Sequence, residues 1–308
     1  PYVSDPNKTD TDDDSLSDDS ELAANPFVTD PSKKDTDGDS FADAAEILLG
    51  SDPTDGQDTP EVAGDTIISI NFEGGQLNPC CGGNGSAQVT TTAGYAPADN
   101  WNNFANQLEV DPQVLVGASG SAVTATLTYT SSNNWASSGA APGDGADGDL
   151  MSGYLDNLHT GGDITVEGLD ATFTANGYSV IVYHSSDSAG TPGFDIDGKT
   201  LYLLQAAGAG TNYPLDGPDA VNGYIVSTAE DPATTPGANA VIFKDLTSSS
   251  FTINGVQGGG GDSRPRPNGI QIVANVPITD GDGDGLDDEW ELANDFDPND
   301  NGSTDVVN

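Results

Sequence analysis

Val123-Thr124-Ala125-Thr126-Leu127-Thr128-Tyr129-Thr130 alternates an apolar side chain with a threonine at every step. Successive side chains of an extended chain point to opposite faces, so this segment has one apolar and one hydroxylated face. That is the pattern of a strand with one buried and one wet side. Segments of the same kind lie on both sides of it: Ile68-Ser69-Ile70-Asn71-Phe72, Asp163-Ile164-Thr165-Val166, Tyr178 to Tyr183, Tyr224-Ile225-Val226, Val241-Ile242-Phe243, Phe251-Thr252-Ile253 and Gly269-Ile270-Gln271-Ile272-Val273. Gly, Ser, Asn and Pro separate them, and no helical periodicity interrupts them. So many short strands predict an all-β, jelly-roll-like two-sheet β-sandwich over 65–278.

Outside that stretch the composition changes. The chain of 308 residues has 50 Asp plus Glu against 7 Lys plus Arg, a formal net charge of −43. Nucleic acid and anionic membranes would be repelled, and no apolar run is long enough to span a bilayer. The one basic cluster, Arg264-Pro265-Arg266, reads as a solvated loop before the last strand. No signal-peptide pattern is visible, so an exported precursor is expected to have been trimmed or the sequence cropped.

The acidic end, residues 1–60, repeats itself. Pro1-Tyr2-Val3-Ser4-Asp5-Pro6 overlays Pro26-Phe27-Val28-Thr29-Asp30-Pro31, and the match continues through Asp10-Thr11-Asp12 onto Asp35-Thr36-Asp37. Each copy carries the spacing of a twelve-residue calcium loop, in which side chains at positions 1, 3, 5, 9 and 12 and the carbonyl of position 7 surround the ion. The first loop has Asp10, Asp12, Asp14, Leu16, Asp18 and Glu21 at these positions, and the second has Asp35, Asp37, Asp39, Phe41, Asp43 and Glu46. The third, in 279–308, has Asp280, Asp282, Asp284, Leu286, Asp288 and Glu291. An Asp-rich linker matches such a spacing occasionally, but all five side-chain positions are acidic in all three copies, which points to Ca2+ as the cofactor. Ser15 and Ser40 occupy the sixth position, where glycine usually eases the turn. Asp5-Pro6 and Asp30-Pro31 would break an incoming helix, so only a short outgoing helix is expected, as over 44–49. So little apolar surface leaves the ion to supply the ordering energy.

These loops, with the trailing Thr29-Asp30-Pro31, Ser51-Asp52-Pro53 and Phe296-Asp297-Pro298, resemble thrombospondin type 3-like calcium repeats, a likeness that covers about a third of the chain. It implies extracellular, calcium-stiffened stalks or adhesive modules of secreted bacterial proteins. It also implies that Asp5, Asp30, Asp52 and Asp297 join the ion network. Dockerin repeats are the close competitor, but they come as a tandem pair, and here a whole domain separates the second loop from the third. The sandwich is similar to an uncharacterised domain of secreted planctomycete- and verrucomicrobial-type proteins. That similarity rests on Ala98-Asp99-Asn100-Trp101-Asn102-Asn103, on Leu150 to Asp156 and on Gly269 to Val273, and it implies a jelly roll without a known activity.

Other residues carry weaker signals. Trp101, Trp135, Tyr154 and Tyr213 would serve a sugar-binding face if exposed, although core packing is the commoner fate of such rings. Asp144-Gly145-Ala146-Asp147-Gly148-Asp149 reads either as a further calcium turn or as a solvated turn. His159 and His184 lie in no nucleophile motif, and an enzyme is not expected. Three states are open to the adjacent Cys80 and Cys81: reduced and buried, joined in a strained ring, or bonded to another chain. Placing Asn308 before Pro1 reproduces the internal Asn25-Pro26 junction, so the expected partners are copies of the chain, head to tail, as tandem repeats of a longer polypeptide or as subunits of a fibre. A longer multidomain protein trimmed within its repeats fits the ends nearly as well. The sequence thus reads as an extracellular calcium-stabilised structural or adhesive protein. The alternative is a carbohydrate-binding module that takes extracellular glycans.

Overall fold

The computed structural model describes residues 4–6, 8, 11–12, 16–23, 27–39, 41, 43–49, 51–58, 65–74, 88–136, 145–186, 188–205 and 224–275. The chain divides into two compact units. One is Glu61–Asn275, and the other comprises both chain ends, Pro1–Pro60 and Val276–Asn308.

The larger unit is an all-β, jelly-roll-like sandwich. One sheet orders its strands β11 (Val226–Ser227), β12 (Ala240–Leu246), β8 (Tyr178–His184), β14 (Pro267–Ala274), β1 (Ile67–Phe72) and β2 (Asn102–Phe104). The facing sheet runs β10 (Lys199–Tyr202), β9 (Gly190–Ile196), β13 (Ser250–Gly261), β7 (Asp163–Glu167), β4 (Ala122–Thr130) and β3 (Leu108–Val116). A small ribbon pairs β5 (Asn134–Ala136) with β6 (Gly153–Leu155). Between the large sheets the alternate apolar positions interdigitate: Ile68, Ile70 and Phe72 of β1 and Val180 and Val182 of β8 meet Leu127 and Tyr129 of β4 and Ile164 and Val166 of β7. The rings of Phe72 and Tyr129 meet edge to face at 5.1 Å. Burial of this core is the main force that closes the sandwich.

Every segment singled out in the sequence as a strand is one, except that at Tyr224 the pairing reduces to a bridge before β11. Several strands were not anticipated. Asn102 and Asn103 of β2 have low strand propensity, but their amides act as extra backbone. Asn102 donates to the Ser69 and Val116 carbonyls and accepts from the Val116 N–H, so it ties the edge of one sheet to the end of the other. Pro112 hid β3, whose place at the sheet edge, with a register shift between Glu109 and Gln113, tolerates a residue that lacks an N–H.

The two sheets differ on their outer faces. Strand β4 has the wet threonine face expected of it, but β1, β8 and β14 are buried on both faces. Residues 93–101 and the short helix α3 (Gly145–Leu150) cover them. Tyr183 OH accepts the Tyr95 N–H (2.7 Å) and donates to Gln271 Oε1. The Gln271 amide donates to the Ala96 carbonyl (2.7 Å) and to Ser69 Oγ (3.0 Å). Gly94 has φ +100°, and a Cβ there would stand 2.5 Å from Gln271 Oε1, so the cover approaches this closely only as glycine.

The expectation for Arg264 and Arg266 is corrected. They do not form a solvated loop: Arg266 is 1% exposed, and its guanidinium donates to Asp156 Oδ1 (2.8 Å), Asp262 Oδ2 (2.8 Å) and Ser186 Oγ (3.1 Å). Arg264 reaches the same two carboxylates. The sequence distance between Asp156 and the arginines concealed this cluster. Beside it His184 is fully buried and accepts the Arg266 N–H at Nδ1 (3.3 Å), so its Nε2 carries the proton donated to Gln205 Oε1 (2.7 Å).

Arg266→Met should destabilise the sandwich by about 3 kcal/mol in chemical denaturation. That is the low end for breaking a buried pair, because Asp156 and Asp262 keep some solvent. Burial lowers the pKa of His184 from 6.5 to about 3. The unfolded chain therefore binds a proton below pH 6.5 that the native state refuses, and stability should decline as pH falls from 6.5 towards 3. Hydrogen bonds from Arg264 hold Asp262 well below the usual carboxylate range, which extends the loss to lower pH. His184→Gln should flatten the stability curve between pH 6.5 and 4.5.

Candidate metal centre

In the terminal unit, described within 1–60, each acidic loop feeds a short helix: α1 is Asp18–Leu22 and α2 is Asp43–Leu49. As the prolines required, Asp5-Pro6 and Asp30-Pro31 precede the loops outside any helix. Ser17 caps α1 and exchanges hydrogen bonds with Ser20 in a capping box.

The two loops share one wiring plan. In the second, Thr36 donates through its N–H to Asp43 Oδ1 (2.8 Å) and through its hydroxyl to Asp43 Oδ2 (2.7 Å). In the first, Thr11 does the same to Asp18, at 2.6 and 2.8 Å. The hydroxyls of both threonines accept the N–H of the aspartate before proline, from Asp5 to Thr11 and from Asp30 to Thr36. At the twelfth position Thr29 Oγ1 donates to Glu21 Oε1 (3.0 Å), and Ser51 Oγ donates to Glu46 Oε1 (3.2 Å). The carboxylates at the ninth position therefore clasp their loops by both oxygens, and those at the twelfth use one oxygen to hold the next turn.

The second loop is the more fully described. Asp35, Asp37 and Asp39 each accept a backbone N–H at Oδ1, from Gly38, Asp39 and Phe41 respectively. One oxygen of each acid shapes the turn, and ligand atoms of the three converge within 4.8 Å of one another. Among the described residues they are the one group of three or more candidate metal ligands that does so. The remaining oxygens, Asp37 Oδ2, Asp39 Oδ2 and Glu46 Oε2, are buried without a hydrogen-bond partner. Asp43 and Glu46 are fully buried, Phe41 is half-buried, and Gly38 at the fourth position takes φ +83°. The glycine of this loop therefore serves the turn two residues before the place where calcium loops usually have it.

Electrostatics register the crowding. Burial, reinforced by the charges of Asp39 and Asp37, pushes the Glu46 carboxyl up to about 9. Burial outweighs the hydrogen bonds from Thr36 at Asp43, which rises to about 7, with Asp12 of the first loop and Asp35 adding repulsion. Asp37 is raised for the same reasons. A buried carboxylate oxygen without a donor is stabilised by a cation, and an oxygen-only donor set suits a hard divalent ion. The residues present therefore fit such an ion. In the first loop Asp12 and Glu21 are buried at the corresponding positions, and Leu16 is half-buried.

The other candidates are placed as follows. Asp30 Oδ1 accepts from Ser32 N–H and Oγ, Asp52 Oδ1 accepts from Thr54 N–H and Oγ1, and Asp5 is exposed. These aspartates shape the proline turns. Asp147 is neither a solvated turn nor a described ion site: its Oδ1 accepts Gly94 N–H (2.8 Å) and Tyr224 OH (2.7 Å), which pins the cover over Tyr183. Trp101 and Tyr154 are buried, which removes them from any sugar-binding surface, and Trp135 is half-buried on β5. Asp10, Asp14, Asp280, Asp282, Asp284, Leu286, Asp288, Glu291, Asp297, Cys80, Cys81, Asp144 and Tyr213 lie outside the described residues. Sequence reasoning missed the threonine clasp. The repeated Asp-Thr-Asp at 10–12 and 35–37 was its signal.

Thr36→Val removes the hydroxyl that donates to Asp43 and receives the Asp30 N–H, while it keeps the side-chain shape. Its expected effect is a loss of about tenfold in divalent-ion affinity at the second loop, the scale of outer-shell changes at metal sites. Glu46→Gln should cost more than this. Calorimetric titration of the full chain resolves both.

No family model matches the chain, and no curated protein does. Among solved structures, an exo-beta-1,3-galactanase from Phanerochaete chrysosporium, crystallised with galactose, aligns with 51% of this chain at 14% identity and a TM-score of 0.23. The alignment spans 32% of that protein's own length.

Proposed function

We propose that calcium fills the acidic loops and that the protein is an extracellular, non-catalytic structural or adhesive module whose terminal repeats are stiffened by the ion. The observation that carries this reading is the set of buried, partnerless oxygens Asp37 Oδ2, Asp39 Oδ2 and Glu46 Oε2 around the Asp35, Asp37 and Asp39 cluster. Such an arrangement is costly with no cation and favourable with one. Calcium is preferred to magnesium because four carboxylates and the Phe41 carbonyl offer the larger, more flexible oxygen set that calcium takes.

In this reading Asp35, Asp37, Asp39 and Glu46 bind the ion. Thr36, Ser51 and Asp43 hold the loop in register, and Asp12 with its loop forms the equivalent site. The extracellular setting supplies enough calcium to occupy loops of this kind continuously. Carboxylates that repel one another are then drawn about a common centre, and the turns that carry Pro6, Pro31 and Pro53 become fixed struts.

Calorimetry of the full chain should show three calcium ions bound, and EDTA should remove hydrogen-exchange protection over 16–49 while strands such as β7 stay protected. Absence of calcium uptake, or unchanged protection after EDTA, defeats the reading. Electron microscopy under the same two conditions tests its reach. Filaments that disperse with EDTA extend it to contacts between copies of the chain, and isolated particles in calcium confine it to stiffening within one chain.

A further inference from the structure

The wet face of the second sheet carries a groove of about 420 Å3, within the size range of small-ligand sites. Strand register sets its floor: Thr165 of β7 lies opposite Thr252 of β13, Glu167 opposite Ser250, and Asn254 opposite Asp195 of β9. One wall is the turn between β9 and β10, where Asp197 and Gly198 both take positive φ, 53° and 85°, as a tight two-residue hairpin requires. The floor is rigid, because β13 pairs with strands on both sides and the Thr165 and Thr252 hydroxyls share a hydrogen bond of 2.9 Å. Asp195 is oriented as well, accepting from Gly198 N–H and Thr200 Oγ1.

The lining selects the ligand class. Glu167, Asp195 and Asp197 together exclude phosphates, sulfates and acidic sugars. These carboxylates do not converge as those of the terminal loop do: among the described residues the only such cluster is Asp35, Asp37 and Asp39, so the groove is not built around a metal ion. The one ring in the lining, Phe251, is turned into the core, which removes a platform for flat aromatic ligands. What remains is an array of hydroxyl, amide and carboxylate groups, each able to hydrogen-bond a ligand hydroxyl.

We infer that this groove binds a neutral polyhydroxylated ligand, a stretch of uncharged glycan. Glu167 and Asp197 accept from sugar hydroxyls, and Asn254, Thr165 and Thr252 both donate and accept. The inference is independent of the calcium sites and uses none of the tryptophans or tyrosines that the sequence offers.

The test uses the full chain in calcium against an array of neutral gluco-, galacto-, manno- and xylo-oligosaccharides, with hits measured by calorimetry and spermidine as a cationic control. At least one neutral series should bind saturably. The Thr165→Val, Thr252→Val double variant, which keeps shape and strand propensity, should weaken it by about tenfold or more, and Glu167→Gln should weaken it in the same direction. Wild-type melting temperatures confirm that both variants fold. Failure of every neutral sugar to bind, binding of spermidine alone, or full affinity in both variants overturns the inference. None of these outcomes alters calcium uptake, so the two readings stand or fall separately.

Discussion

A buried oxygen or nitrogen costs a folded chain several kcal/mol unless it finds a partner, and the two units of this protein meet that constraint in opposite ways. The sandwich meets it largely with its own side chains. Gln271 and Tyr183 satisfy the covering segment from Tyr95 to Ala96. Arg266, buried and charged, is neutralised by Asp156 and Asp262. The terminal unit buries carboxylate oxygens and surrounds them with more carboxylates. With 7 basic residues against 50 acidic ones, the chain has too few cations of its own to answer them.

The same contrast separates the surfaces. The middle strands β1, β8 and β14 of one sheet are closed on both faces, because Trp101, Gly94 and α3 lie over them. The other leaves its threonine face open, and register between β7, β13 and β9 turns that face into a polar groove. Closure of the first sheet buries Tyr95, Trp101, Tyr183 and Tyr224, and the open groove on the other sheet offers hydrogen bonds rather than stacking.

Two of the three segments whose likeness to a secreted domain was read in the sequence touch directly: a Cβ at Gly269 of β14 would stand 2.8 Å from the Leu150 side chain. Asn268 Nδ2, at the start of β14, donates to the Gly153 carbonyl, and Gln271 holds Ala96 just before the Asn-rich stretch. Leu150, at the end of α3, belongs to the cover over the first sheet, and Gly269–Val273 to the strand beneath it.

Alternation with period two was enough to read the sandwich, because an edge-to-edge run such as Val123 to Thr130 has one apolar face whatever its neighbours are. Spacing likewise singled out Asp35, Asp37 and Asp39, which converge, because acids that meet within one turn are local in sequence. What the sequence did not show depends on long-range pairing. Arg266 meets Asp156 across 110 residues, Tyr95 meets Tyr183 across 88, and β2 exists because Asn102 finds Ser69 and Val116. Tertiary structure also decided how each acid divides its oxygens. Asp43 gives both to Thr36, whereas Glu46 gives one to Ser51 and keeps the other buried, and that allocation follows from where the backbone donors stand once the loop has folded.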